Sequence, residues 1–204
     1  EAVEKFTLDK PALVCRWRMS NKKVPMLNRH IRALSERLVQ GEPLTHNMLS
    51  WAKQHVEWSL AEGDYTAHDG VLMLVIDING NAAMTVGENE PLADTSAKAL
   101  RARSAEARSE ADETGVAPEL LAAVNNGELA FVAPADECLC GTATLIEQLA
   151  QTKGIPVTRV DIPAQLKGAL FLVSDEHGVV PATETDAAEA DAATVAFFVD
   201  GYEK

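Results

Sequence analysis

The sequence predicts an α+β protein, and three observations carry that prediction. Two pairs of apolar runs are each joined at an Asn-Gly step, the strongest short hairpin signal because both turn positions want positive φ. Two segments ahead of the first pair repeat apolar residues at helical spacing. Residues 130–163 run from strand through loop to helix and back to strand. At 204 residues and 47% apolar content the chain can bury the core of one large domain or of two small ones.

In chain order, Leu13–Arg18 reads as a short strand and Asn21–Lys23 as a polar turn. Ile31, Leu34 and Leu38 put one apolar face on a helix over Asn28–Val39. Thr45 is placed to cap a second helix that carries Leu49, Ala52, Val56 and Leu60 on one stripe and stops at Gly63. Trp51 and Trp58 on that helix read as core or interface. The first hairpin pairs Val71–Ile78 with Ala82–Val86 across Asn79-Gly80. Gly87–Asp94 is polar, holds a proline and reads as a linker, dividing a unit over residues 1–87 from one over 95–204. Beyond it, Thr95–Thr114 is a long Ala/Glu/Arg-rich helix ending at Gly115. Leu120–Val124 and Leu129–Ala133 form the second hairpin across Asn125-Asn126-Gly127. A helix over Thr142–Lys153 follows, then strands at Val157–Val160, Ala169–Ser174 and Val195–Val199. Ala182–Ala193, rich in Ala, Glu and Asp, reads as an exposed linker or mobile helix without chemistry.

The formal charge of −13 argues against a nucleic-acid partner, which needs a lysine- and arginine-rich face. No apolar run is long enough to span a bilayer, so no membrane partner is expected. Glu1–Lys10 has neither a basic nor an apolar leader region, so no signal peptide is expected. Three cysteines, Cys15, Cys138 and Cys140, suit a reducing compartment, and a cytoplasmic protein is the expectation. Cys138-x-Cys140 has no second ligand pair, and His46 and His55 are too far apart for paired ligation on one helix, so no metal site is assigned. Arg16, Arg18, Lys22, Lys23, Arg29 and Arg32 make the N-terminal third less acidic than the rest. They read either as a solvated face or as a patch for a phosphate or carboxylate.

Gly141-Thr142-Ala143-Thr144 opens a predicted helix, where bare N–H groups and the macrodipole favour an anion. With Pro134, Leu139, Gly154-Ile155-Pro156-Val157 and Phe171–Ser174, this stretch resembles the second half of the class IV aminotransferases. These are the fold-type IV pyridoxal-phosphate enzymes, which include D-amino acid and branched-chain aminotransferases and aminodeoxychorismate lyase. Lys98 in Ala97-Lys98-Ala99-Leu100, followed by Glu110-Ala111 and Gly115, resembles the family's Schiff-base segment. His30, Ile31, Leu34 and Ser35 resemble the helix that carries its phosphate-gripping arginine, although Ala33 stands at the arginine's position.

The resemblance implies a two-domain D-amino acid aminotransferase-like fold, reduced in size, and a homodimer. It implies a pyridoxal 5′-phosphate-dependent aminotransferase or lyase acting on a small amino acid or keto acid. Lys98 would form the imine. Gly141, Thr142 and Ala143, helped by Arg29 or Arg32, would hold the phosphate, and Ser174 would line the cofactor pocket. The family's pyridine-facing glutamate has no obvious counterpart: its strand is deleted, or Glu128 replaces it, or Phe131 stands there. The alternative is a non-catalytic relative that keeps the fold as a binding or assembly module, with Lys98 an ordinary surface lysine.

Overall fold

The computed structural model describes residues 11–20, 23–24, 27–39, 42–62, 70–77, 82–88, 92–114, 118–134, 139–160, 166–183 and 188–203. In chain order the elements are β1 (Pro11–Met19), α1 (Leu27–Ser35), β2 (Leu38–Val39), β3 (Glu42–Pro43), α2 (His46–Glu62), β4 (Gly70–Asp77) and β5 (Ala82–Gly87). They continue with α3 (Ala97–Thr114), β6 (Glu119–Asn125), β7 (Glu128–Val132), α4 (Gly141–Thr152), β8 (Val157–Val160), β9 (Ala169–Ser174), β10 (Gly178–Pro181) and α5 (Glu189–Glu203).

The first sheet is antiparallel in the order β1-β4-β5. Alternation along β1 turns Leu13, Cys15, Trp17 and Met19 inward. With Leu72, Leu74 and Ile76 of β4 they pack against Leu34 of α1 and Ala52 and Val56 of α2. Thr45 caps α2, its Oγ1 accepting the Met48 N–H at 3.1 Å. The helix expected over Asn28–Val39 stops at Ser35, and Leu38 and Val39 pair instead with Pro43 and Glu42. Leu38 extends the apolar period of α1 but lies on this small hairpin. Asn79-Gly80 falls outside the described residues, yet β4 and β5 pair antiparallel on either side of it.

The second sheet runs β10-β9-β6-β7-β8. All neighbours are antiparallel except β7 and β8, which are parallel and joined through α4, the crossover a parallel pair requires. Leu120, Ala122, Val124, Phe131, Phe171 and Val173 face Ile146 of α4 and Phe198 of α5. Leu121, Ala123, Leu170 and Leu172 face Leu100 of α3 on the other side. Burial on both faces explains why β6 and β9 read as unbroken apolar runs. The Asn126-Gly127 turn has φ of 51° and 78°, the left-handed pair expected of a tight hairpin. Ser96 caps α3 by accepting the Ala99 N–H at 3.2 Å.

The strand expected at Val195–Val199 is corrected: these residues lie in α5. Val195 and Phe198, three apart, are buried against the second sheet while Ala196 is exposed, so the short apolar run is one face of a helix. Ala182–Ala193, expected as an exposed linker or a mobile helix, is helical in its last residues. Its residues from Glu189 onward open α5, and Asp191 is buried. The Asp191 carboxylate accepts the N–H groups of Asn126 and Gly127 at 3.0 Å each, so an acidic residue of α5 fastens the β6–β7 turn. Asp191→Ala is expected to lower the unfolding free energy by roughly 1–3 kcal/mol, since two backbone donors of the turn lose a charged acceptor. Urea denaturation checks this against Glu189→Ala, an exposed neighbour expected to stay within about 0.5 kcal/mol of wild type.

Candidate functional site

The elements meet at Asp175. It follows β9 in the Asp175–His177 turn and is buried. Its backbone carbonyl accepts the Arg18 N–H of β1 at 2.9 Å, and its Oδ1 accepts the Thr142 N–H of α4 at 3.0 Å. The residue at the N-cap of α4 is Cys140, whose side chain makes no capping bond. A thiol is a weak acceptor, so a carboxylate from another element serves the second N–H of the helix. The Cys140 thiol is fully buried and pushed well above its ordinary pKa, by burial first and by the Asp175 charge next. It is therefore no nucleophile at neutral pH.

His30 of α1 closes the same point. Its ring is buried, stacks on Trp17 at 5.1 Å between centroids, and brings Nδ1 to 3.7 Å from Asp175 Oδ1, too far for a hydrogen bond. A Cβ on Gly141 would lie 2.5 Å from His30 Nδ1, so only glycine lets α4 approach α1 this closely. Arg29 extends the contact, its guanidinium bonding Thr144 Oγ1 at 3.4 Å and Gln148 Oε1. His30 Nδ1 and Thr142 Oγ1 are buried and have no hydrogen-bond partner among the described residues.

Beside this junction lies a cavity of about 210 Å³ lined by Arg16, Arg103, Glu119, Ser174, Asp175 and Glu176, among others. Arg103 Nε lies 2.8 Å from Glu119 Oε1, and its Nη2 lies 3.6 Å from Glu176 Oε2. Ser174 is buried, and its hydroxyl accepts the N–H groups of Glu176 and His177 at 3.2 and 3.0 Å, so it is committed to its own turn.

Of the residues singled out in the sequence, Arg29, Gly141, Thr142, Ala143 and Ser174 converge around the start of α4 and the end of β9. Lys98 and Arg32 do not: both are solvent-exposed, and neither lines the cavity. Glu128 is exposed on β7, and Phe131 is fully buried in the core. The carboxylate that faces the cavity from β6 is Glu119. Sequence reasoning missed Asp175, the Arg103–Glu119 pair and the role of His30. The available signal was an acidic residue directly after Ser174, at the turn between two strands.

No protein-family model matches the chain, and no curated protein matches it. Solved structures do. A putative branched-chain amino acid aminotransferase from Thermotoga maritima superposes with a TM-score of 0.63 at 16% identity, over 100% of this chain and 93% of that one. A putative 4-amino-4-deoxychorismate lyase gives 0.60 at 15%, over 91% and 88%. The pyridoxal-phosphate-bound form of a hypothetical aminotransferase from Mycobacterium tuberculosis gives 0.58 at 11%, over 99% and 95%. The chain has the class IV aminotransferase fold.

The residues present do not fit the cofactor's phosphate in this arrangement. The Thr142 N–H assigned to that phosphate already donates to Asp175. A phosphate brought to the same helix start would meet a like charge in a buried setting.

Burial holds the His30 imidazole below its ordinary pKa; the Asp175 charge opposes this and Arg37 adds to it. His177 is lowered in the same way, chiefly by burial. Between the folded value and about 6.5 the unfolded chain binds more protons, so stability falls as pH falls through that window. Urea midpoints are expected to drop between pH 7.5 and pH 5. The drop should be smaller in His30→Gln; an equal drop in variant and wild type would remove His30 from the account.

Proposed function

We propose that this chain keeps the class IV aminotransferase fold as a non-catalytic binding or assembly module, with residues 1–87 and 95–204 as its two domains. The observation that carries the reading is the Asp175 carboxylate on the Thr142 N–H, where a cofactor phosphate would have to sit. Lys98 adds support. Imine formation needs a lysine desolvated or set beside other cations, and this one is exposed at the start of α3.

A second reading, a pyridoxal-phosphate-dependent aminotransferase or lyase acting on a small amino acid or keto acid, is favoured by the cofactor-bound neighbour of the same fold. In that reading Lys98 would form the imine, and Arg29, Arg32, Gly141, Thr142, Ala143 and Ser174 would hold the cofactor.

Absorption spectroscopy separates the two. Purified protein mixed with pyridoxal phosphate is expected to show no internal-aldimine band, and borohydride to leave Lys98 unlabelled. A band that Lys98→Ala abolishes, with stability kept within about 0.5 kcal/mol, establishes the enzyme reading instead. For assembly we propose a homodimer through α2, where Trp51 is 40% exposed and aromatic residues are favoured at interface cores. Light scattering well above micromolar concentration should give twice the chain mass, and Trp51→Glu should shift it towards one. A monomeric wild type would contradict the dimer.

A further inference from the structure

We infer that Asp175 is a built-in substitute for a bound phosphate. Its carboxylate fills an anion pocket made by the Thr142 N–H, the Thr142 hydroxyl and His30 Nδ1, and inorganic phosphate takes its place when the carboxylate is removed. The inference rests on the non-catalytic reading above and adds to it what the closed subsite still recognises.

Three independent features meet at the pocket. The first is the start of α4, a twelve-residue helix whose leading N–H groups and macrodipole attract negative charge. The second is the pair of buried polar atoms left without partners among the described residues, His30 Nδ1 and Thr142 Oγ1. Buried polar atoms are ordinarily bonded, and one of these, His30 Nδ1, stands 3.7 Å from the carboxylate while the other belongs to the residue whose N–H the carboxylate accepts, which marks a place shaped for an anion with more acceptor oxygens. A phosphate offers such oxygens; Asp175 Oδ1 serves the Thr142 N–H and remains 3.7 Å from His30. The third is the positive setting. The buried Arg37, which bonds Cys15 Sγ at 3.4 Å, exerts its charge on both His30 and Cys140. Glycine at 141 lets His30 pack directly on the start of α4, where a Cβ would lie 2.5 Å from Nδ1.

The carboxylate is also structural. The peptide of Asp175 is bonded to β1 through Arg18, so the anion at α4 and the seam between the two sheets belong to one residue. Asp175→Ser removes the charge and shortens the side chain to a hydroxyl while keeping the carbonyl that makes that backbone bond. The pocket is then left with donors and no anion.

The test is thermal melting of the full chain at pH 7 and constant ionic strength, with sodium phosphate exchanged for sodium chloride. Wild type is expected to show only the small rise that phosphate, a stabilising salt, gives without a specific site. Asp175→Ser should melt lower in chloride and rise by roughly 5–10 °C once phosphate exceeds its dissociation constant about a hundredfold. Asp175→Asn, which keeps the volume and lacks the charge, should melt low in both salts. If Asp175→Ser does not fold in chloride, recovery from urea replaces melting, and recovery in phosphate alone is the expected result. Three outcomes overturn the inference: a phosphate-indifferent Asp175→Ser by melting and by refolding, a wild type that gains as much as the variant, or an Asp175→Asn that gains equally. An aldimine on Lys98 of the wild type overturns the non-catalytic reading instead, and the phosphate dependence of Asp175→Ser is read separately from it.

Discussion

The start of α4 has donors to satisfy and only a weak local acceptor, the Cys140 thiol. Cys140 offers only a buried thiol, and Gly141 has no side chain, so the acceptor comes from Asp175 at the far end of β9. That one contact fixes much else. It sets β9 against α4, and through the Asp175 carbonyl it sets β1 against the same turn. It requires glycine at 141, because His30 of α1 fills the space a side chain would need. An acidic group at a helix N-terminus contributes up to about 2 kcal/mol in partly buried settings. The seam therefore draws on helix electrostatics as well as on the apolar contacts of Trp17, Leu34 and their neighbours.

The cavity beside the seam follows the same logic. Arg103 reaches from α3 to Glu119 on β6 and Glu176 in the β9–β10 turn, so the charges lining it are largely paired with one another. A cofactor-dependent enzyme leaves donors and acceptors of its pocket for the cofactor. Here the serine, the aspartate and the arginine–glutamate pair are each committed within the chain, whereas the candidate imine lysine stands in solvent. A fold does not by itself fix the chemistry of its site.

Much of the fold was legible in the sequence because local chemistry wrote it. Thr45 and Ser96 cap the helices that follow them, Asn126-Gly127 makes the turn its residue types favour, and the apolar runs of β6 and β9 are buried on both faces. The exceptions are tertiary. Val195–Val199 is short enough to suit a strand or a helix, and packing of Val195 and Phe198 on the second sheet decides for the helix. Asp191 looked like one acidic residue among many until the fold brought it under a turn 64 residues away in sequence. The loop at Gly141–Ala143 and the histidine at 30 could be picked out by pattern. Asp175 could not be assigned its role, because a carboxylate in a strand-connecting turn is ordinary until α4 is seen to end on it.

The central claim is that a side chain of the protein, and no diffusible group, holds the start of α4. A crystal structure grown in the presence of pyridoxal phosphate tests it most directly. The account predicts Asp175 Oδ1 within hydrogen-bond distance of the Thr142 nitrogen, with no phosphate group at Gly141–Ala143. A cofactor phosphate seated on those N–H groups, with Asp175 turned away, would contradict it.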